Sequence, residues 1–566
     1  MAIENLITDH LDLWTAAVRP KSSAGRGSNS KLELIGIKKL RELILELAVR
    51  GKLVPQDPSD EPASVLLERI AAEKARLVKE GKIKKPKALP EISEEEKPFE
   101  LPGGWAWIRF GNIYELEYGD NLPQPMRTNS GEFPVFGSNG VVGTHNVPSV
   151  YSPCIVIGRK GSAGALNFND SAGCWVTDVA YSCVPPLGVD IRFAFKQMHA
   201  FGLDSLGKGI KPGLNRNEAY VLVVALPPLA EQHRIVAKVD ELMALCDQLE
   251  QQSEAQLAAH QTLVETLLTT LTDSADAGEL AQNWARLSTH FDTLFTTEAS
   301  IDALKQTILQ LAVMGKLVPQ DPSDEPASSL LERISAEKAR LVKEKKIKKE
   351  KPLPAIGAGE KPFELPKGWE WCHFEDIVDI QSGITKGRKL TNRELTTVPY
   401  LSVANVQRGY VDVTGIKSVE LPVDEVEKYQ VLKGDLLITE GGDWDKVGRT
   451  AIWADEMPYV AHQNHVFKAR KFLQEQDEAW LEMFLNGPSA RDYFAGSSKQ
   501  TTNLASINKT QLRGCLIAIP PKNEKSYIVA KVDELMSLCD QLKSRLQTSQ
   551  QTQLALAESL VEGALA

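Results

Sequence analysis

Four stretches carry residue types and spacings that could do chemistry, and each lacks a part that the chemistry requires. GLDSLGKG at 202–209 has the spacing of a phosphate-cradling glycine loop, yet Gly209 stands where a Ser or Thr must hold Mg2+. FGSNG at 136–140 resembles a methyl-donor glycine loop, but no N-P-P-Y or D-P-P-Y motif follows to handle an extruded base, so Ser-Asn-Gly reads as a turn. His462 and His465 in AHQNHVF sit on a β-type run, where their offset puts them on opposite faces, and no matching ligand cluster is visible. Asp443, Asp445 and Lys446 in GGDWDK are nuclease-like in type, with no third carboxylate fixed by spacing. The expectation is a chain with no catalytic residue, no cofactor and no metal of its own.

A different chemistry recurs. Glycine-rich loops repeatedly offer Arg, Lys, Asn and Gln: Ser138 and Asn139 in FGSNG, Arg159 and Lys160 in GRKGSAG, and Lys208, Lys211, Asn215 and Arg216 in GKGIKPGLNRN. Further along come Lys386, Arg388 and Lys389 in SGITKGRKLTNR, and Asn405, Gln407 and Arg408 in ANVQRG. Trp444, Lys446 and Arg449 in GGDWDKVGR and Lys499, Gln500 and Asn503 in SSKQTTNLASINK complete the set. Arg pairs bidentately with guanine and Asn or Gln with adenine in a major groove, while glycines let backbone N–H groups approach phosphate. Any one such loop could be plain polar surface; their combination points to nucleic acid.

The elements that must position these loops are written twice. Residues 51–85 (GKLVPQDPSDEPASVLLERIAAEKARLVKEGKIKK) return at 315–349, differing only at Val65/Ser329, Ala71/Ser335 and Gly81/Lys345. IVAKVDELMALCDQLE at 235–250 returns as IVAKVDELMSLCDQLK at 528–543. Between the paired copies lie two inserts that open alike (KPFELPGGWAW, KPFELPKGWEW) and then diverge. The chain therefore divides into an N-terminal, partly flexible extension (1–36), a first helical repeat (37–97), a first insert (98–228), a long helix (229–271), a linker (272–300), a second helical repeat (301–361), a second insert (362–521) and a second long helix (522–566).

Ile37, Leu40, Ile44 and Leu47 follow helical periodicity up to Gly51, which can take a left-handed cap. The prolines of PQDPSDEP forbid helix, and a second helix with Leu66, Ile70 and Leu77 on one face follows, so a helical hairpin is expected in each repeat. The Lys, Glu and Pro-rich tail of each repeat reads as an exposed connector. Ile235, Val239, Leu242, Cys246 and Leu249, matched by Ile528, Val532, Leu535, Cys539 and Leu542, form heptad seams. Both inserts hold short β-type runs such as CIVIGRK and GDLLITE, and both leave through a strand ending in Pro-Pro. The fold class expected is mixed α/β: two globular α/β domains joined by long antiparallel coiled-coil helices with an internal pseudo-two-fold repeat.

At 566 residues the chain exceeds one core, and its 42% hydrophobic and 25% charged residues are ordinary for a globular protein. No run approaches a membrane span, the first residues lack the basic start of a signal peptide, and seven scattered cysteines give no C-x-x-C, so a cytoplasmic location is expected. The net charge of −10 opposes nucleic-acid binding globally but leaves room for local basic grooves.

From about residue 37 onward the chain resembles the specificity subunit of type I restriction-modification systems. The resemblance rests on paired helices bracketing divergent inserts and on the exits LPPLAEQHRIVAKVDEL and IPPKNEKSYIVAKVDEL. It also rests on FPVFGSNGVVGTHN, IVIGRKGSAG and CWVTDVAY in the first insert and on VPYLSVANVQRGYVD, LKGDLLITEGGDWDKVGRTAIW and HQNHVFKAR in the second. The second exit departs from the family pattern, with Lys522-Asn-Glu-Lys after Pro-Pro. The resemblance implies a non-catalytic reader of double-stranded DNA in which each insert is a target-recognition domain for one half of a bipartite, asymmetric site and the helices set the spacer. It further implies two methyltransferase subunits, then restriction/translocase subunits, as partners, with S-adenosylmethionine, ATP and Mg2+ used by those partners. The competing readings are a coiled-coil scaffold with non-specific DNA binding, or a single-chain DNA-modifying enzyme with an unrecognised site.

Overall fold

The computed structural model describes residues 3–20, 32–81, 83, 87–128, 130–206, 213–275, 277–385, 387, 390–442, 446–497, 499–501 and 504–565. The chain forms two compact units, Met1–Leu257 with Thr548–Ala566, and Ala258–Gln547. Among the described residues no helix is long and apolar enough to cross a membrane.

The first unit begins with short helices α1 (Ile3–Thr8) and α2 (Leu11–Ala16), followed by α3 (Ile35–Val49) and α4 (Ala63–Lys79). The heptad seam predicted from 235 onward lies in a 45-residue helix, α5 (Leu229–Asp273), whose residues up to Leu257 belong to this unit. Ile37, Leu40, Leu43, Ile44 and Leu47 of α3 share a core with Ile235, Val239, Leu242 and Cys246 of α5 and with Ala557 near the C-terminus. α3 stops where Gly51 turns to φ +70°, and a Cβ there would lie 2.4 Å from Pro102 Cγ, so glycine is needed twice over. The hairpin expected of α3 and α4 is not packed helix on helix. Ala63, Leu66 and Ile70 of α4 enter a separate core with Phe110, Ile113 and Tyr114 of the insert. The intervening PQDP segment is drawn instead to α5, where Gln56 Nε2 donates to Glu231 Oε1 at 2.9 Å.

The first insert holds β1 (Ala106–Arg109), β2 (Glu117–Tyr118), β3 (Phe133–Phe136), β4 (Val141–His145), β5 (Cys154–Gly158), β6 (Leu166–Asn169), β7 (Trp175–Val176), β8 (Ala180–Cys183) and β9 (Val223–Leu226). They make a four-stranded sheet β2-β8-β5-β6, a three-stranded sheet β4-β3-β7 and the pair β9-β1. β5 is buried along its whole length, as its apolar run Cys-Ile-Val-Ile-Gly requires.

The second unit repeats this scheme. Its frame is the end of α5 with α6 (Ala277–Thr289), α7 (Phe291–Leu294), α8 (Glu298–Val313), α9 (Ala327–Lys343) and most of α10 (Lys522–Leu565). Its insert carries β10 (Glu370–His373), β11 (Val378–Gln381), β12 (Leu395–Leu401), β13 (Lys417–Pro422), β14 (Leu436–Thr439), β15 (Thr450–Ile452), β16 (Ala461–His462), β17 (Val466–Lys471) and β18 (Leu516–Ile519). The sheets are β11-β17-β14-β15, β13-β12-β16 and β10-β18, strand for strand the order of the first insert. A further small sheet joins Gly441–Gly442, Leu504–Ser506 and Lys499–Thr501.

A short helix precedes each frame: the His10 carbonyl before α2 accepts from Leu13 N and Trp14 N, and the His290 carbonyl before α7 from Thr293 N and Leu294 N. Trp14 and Leu294, the last of these, are both buried in their units' cores. Each frame is closed by the same contacts. Trp105 Nε1 donates to Glu231 Oε2 at 2.9 Å and Trp369 Nε1 to Glu524 Oε2 at 3.1 Å, with Gln320 Nε2 taking the part of Gln56 at 3.0 Å. Lys52 Nζ donates to the Leu565 carbonyl at 3.0 Å and Lys316 Nζ to the Thr272 carbonyl at 2.8 Å, so each long helix has its last carbonyls capped by a cation.

Candidate nucleic-acid interface

Tight backbone approach builds the first insert's loop cluster. β2 is followed by Gly119, where a Cβ would sit 2.2 Å from the Thr177 carbonyl, so the chain passes against the turn between β7 and β8 as only glycine allows. Ser138 and Asn139 occupy the turn after β3, closed by Gly137 N donating to the Gly140 carbonyl at 2.9 Å. That turn lies against the one holding Arg159 and Lys160, since a Cβ on Gly158 would meet the Ser138 carbonyl at 2.4 Å. Lys160 bridges to Gly213, and Leu214 N donates to the Arg159 carbonyl at 2.9 Å, which brings in Asn215 and Arg216.

The arrangement centres on Tyr118, whose ring is half exposed. The Arg159 guanidinium carbon lies 4.8 Å and that of Arg216 4.7 Å from its centroid. Each arginine is held by one backbone carbonyl, Arg159 Nη1 donating to Asp178 O at 2.8 Å and Arg216 Nη1 to Leu116 O at 3.2 Å. Among the described residues neither meets a carboxylate, in contrast to Arg109 with Glu96, Arg470 with Asp435 and Arg513 with Glu375. Two fixed, unneutralised cations at the surface are suited to a phosphate or a guanine edge. Asn215 does something else: its side-chain oxygen accepts from Asn217 N and caps the helix Arg216–Tyr220.

In the second insert Gln407, Arg408 and Arg449 are brought together beside β15. Arg449 Nη1 donates to Gln407 Oε1 at 2.7 Å, Arg408 Nη1 to Asn486 Oδ1 at 3.2 Å, and Asn486 in turn bonds the Thr450 backbone. Lys446 lies in the same turn, its carbonyl accepting from Thr439 Oγ1 at 2.7 Å. Asn405 is a correction to the sequence reading. It is buried, its Oδ1 accepts from Ser402 N and Oγ, and its Nδ2 donates to Asp412 O, so its amide is spent shaping the loop. Lys208, Lys211, Lys386, Arg388, Lys389, Trp444 and Asn503 lie outside the described residues, as do Asp443 and Asp445, and of Lys499 and Gln500 only the backbone is described.

The two histidines of AHQNHVF part company. His462 is fully buried, its Nδ1 donating to Val466 O at 2.7 Å, and burial, aided by the Lys468 charge, drives its pKa down to about 3. His465 lies in the turn after β16 and pairs through Nδ1 with Glu440 Oε2. Among the described residues no cluster of three or more His, Cys, Asp or Glu could hold a metal. Sequence reasoning did not single out Tyr118 or Glu440, and it weighed His465 only as a metal ligand. An exposed aromatic beside a glycine was the available signal for Tyr118, but only folding brings the two distant arginines to it.

A duplicated helical frame presenting two unlike inserts on one sheet plan defines a two-module α/β architecture. The sequence profile of the type I restriction modification DNA specificity domain matches residues 366–549. The chain is 43% identical to the type I restriction enzyme EcoEI specificity subunit of Escherichia coli, and 43% identical to the EcoAI specificity subunit of the same organism, in both cases over 100% of each chain. The crystal structure of the HsdS subunit from Thermoanaerobacter tengcongensis is similar at 16% identity with a TM-score of 0.36, over 83% of this chain and 98% of that one. The full-length identity places the chain in the family: it belongs to the specificity subunits of type I restriction-modification systems.

Proposed function

We propose that the two inserts, 98–228 and 362–521, are target-recognition domains that each read one half of a bipartite, asymmetric double-stranded DNA site. The chain is the non-catalytic, DNA-recognising specificity subunit of a type I restriction-modification complex. The observation that carries the two-half reading is one sheet order bearing two different surface chemistries: an arginine pair around Tyr118 in the first insert and a Gln407, Arg408 and Arg449 group in the second. The long helices, 229–271 and 522–566, fix the spacer between the halves. The repeated blocks 37–97 and 301–361 hold two identical methyltransferase subunits, because twin frames with the same Trp-Glu-Gln contact present the same face twice. Those subunits supply S-adenosylmethionine chemistry, restriction/translocase subunits supply ATP and Mg2+ chemistry, and the complex works in the cytoplasm.

Selection of bound sequences from a randomised duplex library by the full-length chain in its complex tests this reading. Two fixed half-sequences separated by a fixed run of free bases are expected; a single continuous motif, or no preference, would contradict it.

A further inference from the structure

The shared sheet plan allows the two inserts to be compared residue by residue at the point where each faces outward. In the first, Gly158 at the end of β5 pairs with Ala180; in the second, Thr439 at the end of β14 pairs with Val466. The next residue is Arg159 in one and Glu440 in the other. Arg159 N donates to the Val179 carbonyl and Glu440 N to the His465 carbonyl, each at 2.9 Å. Leu214 N donates to the Arg159 carbonyl and Ile507 N to the Glu440 carbonyl, again each at 2.9 Å. The backbone environment is the same and the charge is reversed.

Each side chain is also held in place. Arg159 is fixed by the Asp178 carbonyl and stacked on Tyr118, with Arg216 across the same ring. Glu440 is partly exposed, and one carboxylate oxygen is engaged by His465 Nδ1. A fixed guanidinium fork matches guanine O6 and N7, whereas a fixed carboxylate can only accept and so suits the exocyclic amino group of cytosine. Resting on the two-half reading above, we infer that Arg159 and Glu440 are equivalent specificity-determining residues, Arg159 reading a guanine in the first half-site and Glu440 a cytosine in the second. Tyr118 is the positioning residue that holds the guanidinium at its angle.

Library selection with the full-length chain in its complex, wild type against Arg159→Ala, Arg159→Lys, Glu440→Ala and Glu440→Gln, tests the assignment. Either Arg159 change should relax one guanine of the first half by roughly 5- to 150-fold and leave the second half untouched. Glu440→Ala should relax one cytosine of the second half. Glu440→Gln should turn that position towards adenine, whose N6 and N7 a carboxamide meets with two hydrogen bonds. The Lys and Gln replacements keep the side-chain volume, so they report even if an alanine variant misfolds. Uniform weakening across all sequences would make the residues phosphate contacts and overturn the assignment, as would an unchanged preference in both halves. A wild type that selects no two-part site would sink the two-half reading as well, whereas a two-part site indifferent to both residues sinks this inference alone.

Discussion

His462 gives the second insert a titratable weak point. Its ring is sealed from solvent, and burial holds its pKa down at about 3 against an ordinary 6.5. Below pH 6.5 the unfolded chain takes up a proton that the folded chain refuses, so stability falls as pH drops from about 6.5 towards about 3. His462→Asn keeps a donor for the Val466 carbonyl but no longer titrates, and denaturant midpoints across this window should fall less steeply than in the wild type. Parallel slopes would place the acid sensitivity elsewhere. On the DNA side, alanine at Arg159, Lys160, Arg216 and Arg408, together with Arg388 and Lys389, should behave in one of two ways. A lost phosphate contact lowers affinity for every sequence and flattens the salt dependence; a lost base contact costs about 1–3 kcal/mol at one position. No change in affinity or preference would leave these loops without a role. Residue types alone single out the glycine-rich loops in the sequence, and Asn405 shows the boundary of that signal: an asparagine that could read adenine is equally able to shape its own loop, and burial decides between them.

At the level of elements, the helices were legible and the sheets were not. Heptad spacing gave α5 and α10, and the +70° φ of Gly51 and +68° of Gly315 fall where the apolar periodicity of α3 and α8 stops. The common sheet order was hidden because β-runs of a few residues keep only their alternation when sequence diverges; the glycines at 119 and 383, each closer than 2.5 Å to a carbonyl if given a Cβ, are one choice the two inserts share. The frame contacts make their own prediction. Glu231 and Glu524 are buried at the start of the long helices, each accepting from a Trp and a Gln. Replacing either by Ala strands a buried indole N–H and should cost its unit about 1–3 kcal/mol in urea unfolding, with a cost near zero showing that solvent or a neighbour satisfies the indole instead. The ruler reading is testable on the same helices. Four residues inserted near Gln251–Ala259, with four near Gln547–Gln553, extend each helix by about 6 Å and turn it about 40° past a full turn. The selected spacer should lengthen by one or two base pairs, each worth about 3.4 Å, while the half-sequences stay the same. An unchanged spacer in a folded protein would remove the helices from that role.

For the whole molecule, the net charge of −10 and the DNA-reading role are compatible because the charge is distributed. Acids serve the frame, as in Asp247 and Glu250 with Arg41 and Asp302 with Lys543, whereas the arginines around Tyr118 stay without carboxylates among the described residues. Two copies of one frame make an exchange of inserts between them a direct experiment. The measurement that bears most directly on the two-half reading is library selection with a chain in which 98–228 is replaced by a second copy of 362–521. Both halves of its selected site should carry the sequence that the second insert reads in the wild type, and the first half-sequence should disappear. Retention of the original first half by this chain would contradict the account.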